Sequence, residues 1–389
     1  MTSSGGPSLR GPEAETANPQ PETPETPDRD PVSEREEKVL RIIETTRAKR
    51  KKFREPHITM AHGAGGKATQ GLIEGLLVPA FASAPLDALG DAGVVSVLGG
   101  EVALTTDSFV VRPIRFPGGS IGELAVNGTV NDLAVSGARP LALTLSLVLE
   151  EGLASDVLQA EVEAIAATAA AAGVQIVAGD TKVVERGHAD QMYVCTTGLG
   201  LIDPRARLSP AALRPEDRIL VSGRVGDHGM AIMLARGEFE LDAPIASDTR
   251  SLWPAVDALL DAAGPGLRCL RDATRGGVAS VLNELARASG VAMLVREADV
   301  PVHPAVAGAA EILGIDPMYV ANEGKLIAIV APEAADAALA ALRAAPGGDE
   351  AADIGTCKTT PEGMVLVETA FGGKRVMDQL VGDPLPRIC

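Results

Sequence analysis

Aromatic side chains are nearly absent from this chain: 2% of 389 residues, with six Phe, two Tyr and one Trp. So thin a supply excludes the stacked aromatic platforms that hold single-stranded nucleic acid. A formal charge of −17 excludes a phosphate-backbone binder. The four cysteines, at 195, 269, 357 and 389, show no CxxC and no metal-type spacing, which argues against a zinc site or a disulfide framework. No charge-free apolar run approaches ~20 residues, and no signal-type apolar segment opens the chain. The expectation is a soluble cytoplasmic protein with neither nucleic acid nor membrane as partner.

Core material is ample, because hydrophobic residues make up 46% of the sequence, mostly Ala, Val and Leu. Charge is uneven: residues 1–56 hold 11 acidic and 11 basic side chains, so the net negative charge lies wholly in 57–389. Residues 1–56 read as a disordered, low-complexity extension, proline-rich at first, with a short basic helix after Ser33. The folded body begins near His57.

From there short β-type runs alternate with Ala-rich helical runs, which predicts an α/β (α+β) fold without internal repeats. Strands are expected at 102–106, 141–149, 174–178, 193–201, 218–222, 326–330 and 364–368. Helices are expected at 120–138, 155–172 (with Ser155 as N-cap), 230–236, 278–289 and 332–344. The resulting domains are 57–208 and 209–375, followed by a flexible tail at 376–389.

The chemistry-bearing residues fall at element ends. Asp107, Asp132, Asp180, Asp227 and Asp272 recur where strands or loops meet helices, beside glycine-rich turns. Backbone N–H groups at such places face phosphates, and carboxylates beside them suit a magnesium ion bridging to those phosphates. His62-Gly63-Ala64-Gly65-Gly66-Lys67 is a glycine-rich segment that fits neither the Walker A pattern nor GxGxxG. His62 and His228 are candidates to line a nucleotide site. Last comes Cys389. Pro384 and Pro386 keep its segment out of helix and sheet, which predicts a mobile arm able to carry a group on its thiol.

Several motifs together carry a family resemblance. They are Thr105-Thr106-Asp107-Ser108-Phe109, Phe116-Pro117-Gly118-Gly119, Leu124-Ala125-Val126-Asn127-Gly128-Thr129-Val130-Asn131-Asp132, Ala178-Gly179-Asp180-Thr181-Lys182, Gly226-Asp227-His228-Gly229, Asn322-Glu323-Gly324 and the ending Pro386-Arg387-Ile388-Cys389. In that order, over residues 57–389, the chain resembles the HypE carbamoyl dehydratases of [NiFe]-hydrogenase maturation. These belong to the superfamily of aminoimidazole ribonucleotide and selenophosphate synthetases. Asp272-Ala273-Thr274-Arg275 departs from the family's Asp-Pro-Thr-Arg, which puts only the rigidity of that turn in doubt.

The resemblance implies an N-terminal mixed sheet that pairs in a homodimer, a C-terminal α/β sandwich, and ATP and Mg2+ as cofactors. It implies nucleotide contacts at Gly65, Gly66, Asp107, Asn127, Asp132, Asp180, Thr181 and Asp227, with metal on Asp107, Asp132 and Asp272. Cys389 is implied to receive a carbamoyl group from HypF, to be dehydrated to a thiocyanate, and to pass cyanide to the HypC–HypD complex. Glu323 is then the proton acceptor and Lys182 a charge stabiliser or proton relay. Two other readings stand beside it: a different ATP-dependent synthetase of the superfamily, and a non-catalytic scaffold that uses Cys389 as an iron ligand.

Overall fold

A computed structural model of the chain describes residues 53, 55–81, 89–97, 99–237, 243–380 and 388–389. The expectations for the N-terminal extension and for the proline arm at 381–387 therefore fall, almost entirely, outside the described residues.

The first sheet has five strands in the order Gly93–Val97, Gly100–Phe109, Met192–Ile202, Ala138–Glu150 and Gln175–Val184. All neighbours are antiparallel except the last pair. Burial alternates along Met192–Ile202, so one face is covered and the other open. The cover is the helix Ile121–Val135, buried nearly all round, at 13 of its residues. Its start is fixed by Glu161, a buried carboxylate that accepts from Gly122 N at 3.0 Å and meets Arg115 Nε at 2.7 Å. Glu161 comes from the Ala-rich helix Ser155–Ala172, which Gly173 ends in the left-handed conformation at φ 70°. Ser155 is the first residue of that helix rather than its cap, a place taken by Ala154.

The second sheet has seven strands, in the order Lys374–Met377, Val365–Glu368, Ala292–Arg296, Ala352–Lys358, Arg218–Val221, Leu326–Val330 and Leu267–Asp272. The helix Gly277–Ser289 packs on one face around Val278, Leu282 and Leu285. On the other face Trp253–Ala263 and Ala335–Ala344 pack through Val256, Leu259, Leu260 and Leu342. Leu326–Val330, buried at every residue, is the continuous apolar run that a strand covered on both faces needs.

Two expectations change. Lys374–Met377 pairs with Val365–Glu368, so the sheet continues past residue 376, where the tail was expected to begin. Asp180 does not end a strand; it lies inside Gln175–Val184, an edge strand exposed along nearly its whole length. Among the described residues no helix is long and apolar enough to cross a membrane.

Candidate active site

Four carboxylates converge where the two sheets face one another through the helix Ile121–Val135. Asp107 projects from Gly100–Phe109 toward that helix, beside Asp132. Thr105, two residues back on the same strand face, donates to Asp132 Oδ2 at 2.6 Å and to the carbonyl of Asp91 at 3.0 Å. Asp272 ends the strand Leu267–Asp272, and its neighbour Arg271 pairs with Asp91 while donating to Leu89 O at 2.8 Å. Burial, then Asp107, Asp272 and Asp91, push the Asp132 carboxyl well above its ordinary range. Burial, then Asp91 and Asp107, do the same to Asp272. Carboxylates this close and this dry cannot all ionise without a cation to offset them.

Glu323 borders the cluster and is 3% exposed. Its backbone N–H donates to Asp248 Oδ1 at 3.0 Å, and Gly324 N to Asp248 Oδ2 at 3.2 Å. Asn131 donates to Glu323 O at 3.0 Å, and Asn322 accepts from Gly226 N at 2.8 Å. The Asn-Glu-Gly segment is thus gripped by its backbone, leaving the Glu323 side chain facing the cluster. Burial, with Asp272 and Asp248 beside it, raises its carboxyl well above the usual value, while Arg275 acts the other way.

Cys389 lies among these groups. Its thiol lies beside Arg275 and close to the charges of Glu323 and Asp107; burial pushes it up to about 12 against the pull of Arg275. Ile388 is 6% exposed, in an apolar cluster with Phe109, Phe116, Ile121 and Val320. Burying one such side chain is worth roughly 2 kcal/mol. His228 Nε2 meets Ile388 O at 2.6 Å, and His228 Nδ1 meets Ser247 Oγ at 2.8 Å.

The glycine-rich segment closes over Arg275, which donates to Gly63 O at 3.1 Å. Gly65, at φ +74°, lies so near that an added Cβ would stand 2.8 Å from Arg275 O. Gly66 caps the short helix Lys67–Leu72. Asn127 is buried and reaches Thr249 Oγ1 at 3.4 Å. Asp227 opens the helix Asp227–Ala235 and faces a cavity of about 320 Å³ lined also by Arg224, Asp248, Arg250 and Lys325.

Three expected site residues do not join the cluster. Asp107 pairs in register with Thr196, Thr196 with Leu145, and Leu145 with Gly179. Asp180, Thr181 and Lys182 therefore stand three strands away, about 14 Å. Asp180 and Lys182 also alternate onto the open face of the sheet, where they pair with each other at 2.6 Å, both exposed. Within one chain Lys182 does not approach Cys389. The two histidines are held by protein contacts. His62 Nδ1 accepts from Thr59 N at 3.0 Å and its Nε2 meets Glu55 at 3.0 Å, a turn-closing role, while His228 holds the terminal segment. The sequence reading gave no role to Asp91, Asp248 or Asn131. Asp91 sits in Gly90-Asp91-Ala92-Gly93, which reads as an ordinary turn; for Asp248 and Asn131 only their contacts distinguish them.

The two domains define a class. Residues 89–202 match AIR synthase related protein, N-terminal domain, and residues 214–368 match its C-terminal domain. The chain is similar to carbamoyl dehydratase HypE of Azotobacter vinelandii, at 49% identity over 337 residues covering 87% of this chain and 98% of that one. It is similar to a solved hydrogenase maturation protein HypE in complex with ATP, at 44% identity and a TM-score of 0.72, covering 86% of this chain and 100% of the other. Similarity extends to a solved HypE–HypF complex, at 42% identity and a TM-score of 0.75, covering 79% of this chain and 99% of the matched one. The chain belongs to the HypE family of carbamoyl dehydratases.

Proposed function

We propose that this chain dehydrates a carbamoyl group carried on Cys389, spending one ATP per turn, as a step in [NiFe]-hydrogenase maturation. The observation that carries the reading is the position of the Cys389 thiol, beside Arg275, Glu323 and Asp107. In balance, Cys389–S–C(=O)NH2 and ATP give Cys389–S–C≡N, ADP and phosphate. The amide oxygen takes the γ-phosphoryl group and leaves as part of phosphate, and two N–H protons depart. An amide oxygen alone is a poor leaving group, so activation must precede its loss. Glu323, dry and with its carboxyl raised well above the usual value, is placed to accept a proton from that nitrogen. Arg275 supplies fixed positive charge beside the sulfur and the developing anion.

Asp107, Asp132 and Asp272 are assigned to Mg2+, with Gly65, Gly66, Asn127 and Asp227 toward the nucleotide. The crowded carboxylates fit a hard dication that prefers oxygen, although among the described residues no three acidic, His or Cys side chains already form a metal-ready group. Magnesium commonly takes only one or two carboxylates, with phosphate oxygens and water completing its shell. When bound it offsets phosphoryl charge.

Burial pushes the seated thiol up to about 12, which disfavours the thiolate inside the site. Loading from a carbamoyl donor therefore belongs outside it, with HypF as the partner by kinship to the HypE of the solved HypE–HypF complex. Delivery to iron in HypC–HypD follows in the same reading. Homodimer formation has a surface to use: Leu104, Leu199 and Leu201 stand 44%, 37% and 46% exposed on the open face of the first sheet.

Intact-mass spectrometry tests the reaction. Incubation with the carbamoyl donor system adds about 43 Da to Cys389, and Mg-ATP then removes about 18 Da, one water. An adduct unchanged by Mg-ATP overturns the dehydratase reading. Cys389→Ala abolishes the adduct and keeps nucleotide binding, which separates a carrier from a scaffold.

A further inference from the structure

We propose that His228 is the latch that seats the terminal segment in the site, by donating from Nε2 to the carbonyl oxygen of Ile388. This is a positioning role and rests on the reading of Cys389 as carrier.

The hydrogen-bond pattern selects the tautomer. Ile388 O can only accept, so the His228 Nε2 that meets it at 2.6 Å carries the proton. Nδ1 is then the acceptor, and the hydroxyl of Ser247 supplies its proton at 2.8 Å. Ser247 Oγ keeps a lone pair for Thr249 N at 3.2 Å, so the relay is complete at both ends. The ring stands edge-on to Phe116 at 5.6 Å and 87°, and the residue is 0% exposed. Burial favours the neutral ring that this pattern needs.

The carbonyl that His228 grips immediately precedes Cys389, so the bond sets where the last residue points whatever the thiol carries. A side-chain contact would depend on the cargo; a backbone contact does not. The same carrier can therefore enter free, carbamoylated or cyanated, with Ile388 filling its apolar pocket each time. Ser247 comes just before Asp248, which grips Glu323 and Gly324. One short segment thus positions both the arriving carbonyl and the proton acceptor.

The test reads the arm directly and needs no ATP chemistry. The full-length chain is treated with iodoacetamide, and the alkylation rate of Cys389 is followed by peptide mass spectrometry, with Cys195 as internal control. A seated Cys389 is half-buried beside Arg275 and Glu323, so it reacts more slowly there than on a released arm, and its rate rises with the unseated fraction. His228→Phe is expected to raise that rate about tenfold, the scale of one lost buried hydrogen bond. His228→Gln, whose amide N–H can replace Nε2, is expected to return it to within about twofold of the native rate. Equal rates in His228→Phe and the native chain overturn the latch, as does failure of Gln to rescue. Should Cys195 also accelerate in His228→Phe, the fold is disturbed and Ser247→Ala decides. An increase of about threefold at Cys389 alone supports the relay, and none overturns it. If the native adduct keeps its water under Mg-ATP while this pattern holds, the dehydratase reading falls and the latch stands. If water is lost and the pattern is absent, only the latch falls.

Discussion

Asp248 holds Glu323 by its backbone: the Asp248 carboxylate accepts from Glu323 N at 3.0 Å and from Lys325 Nζ at 2.8 Å. Both charged side chains of that pair are 4% exposed. Burial alone would raise the Asp248 carboxyl, but the Lys325 charge and the hydrogen bonds from Lys325 and Glu323 N outweigh it and hold the group below its ordinary range. Asp248→Ala strands Lys325 as a buried unpaired cation and frees two backbone donors. The expected cost is about 3 kcal/mol in urea unfolding, because breaking one side of a buried pair exceeds the worth of the pair itself. Dehydration falls with it, since Glu323 loses its anchor. A stability change under about 0.5 kcal/mol, the size of an ordinary surface substitution, would show that Asp248 is not the anchor.

The carboxylate cluster predicts a stability that runs against the usual trend with pH. Asp132 and Asp272 have folded values above their unfolded ones, so between those values the folded state binds more protons. Their contribution is most favourable below the ordinary aspartate range and is lost as pH rises through the raised folded values. Asp132→Asn removes one like charge and keeps an acceptor for Thr105, so the nucleotide-free chain should gain about 1 kcal/mol at pH 8 and little at pH 4. Mg-ATP should raise the melting temperature of the native chain at pH 8, and this shift should shrink in Asp132→Asn. Calorimetry at the two pH values checks both. A variant less stable than the native chain at pH 8 contradicts the repulsion.

Where local pattern and tertiary burial agree, the sequence reading succeeded. Leu326–Val330 is an unbroken apolar run and was expected as a strand; the 155–172 helix is rich in Ala and ends at a glycine. The strand Leu267–Asp272 was missed because Arg268 and Arg271 interrupt its apolar pattern. Arg271 is tolerated inside only because Asp91 pairs with it from a distant turn, a fact no window of sequence contains. Motifs named the cluster's Asp107, Asp132, Asp272, Glu323 and Cys389. They could not say which face of the edge strand Lys182 would take, since one residue of register decides it.

Gly65 tests whether the glycine-rich segment works by flexibility or by contact. Its φ of +74° disfavours any side chain, and a Cβ there would sit 2.8 Å from Arg275 O and 2.9 Å from Arg275 Cβ. Gly65→Ala should therefore push the segment off Arg275, at a cost of about 1–3 kcal/mol of local strain. Limited proteolysis should cut faster within 60–67 while the rest of the chain stays protected. Mg-ATP affinity should drop about tenfold, equivalent to the lower end of that strain. Gly63→Ala is the control, because an added Cβ there meets nothing within 4 Å. If both variants behave alike, flexibility rather than contact is what the segment requires.

With Cys389 seated beside Asp107, Lys182 of the same chain stands apart from it. It stands on the open face of the first sheet, paired with Asp180, while Asp107 faces the covered side three strands away. No rotamer of a lysine crosses a sheet. If two copies pair through that open face, Lys182 of one can approach the site of the other. Mixed dimers separate the cases. Combine Lys182→Ala chains, which keep Cys389, with Cys389→Ala chains, which keep Lys182; neither homodimer should yield thiocyanate. In the mixed dimer a lysine acting on the partner's thiol restores thiocyanate on the Cys389 that is present. A lysine acting on its own thiol restores nothing, because the only loaded chain lacks it. Recovery in the mixture is the expected result. Full activity of the Lys182→Ala homodimer would remove Lys182 from the chemistry altogether and leave the proton transfer to Glu323.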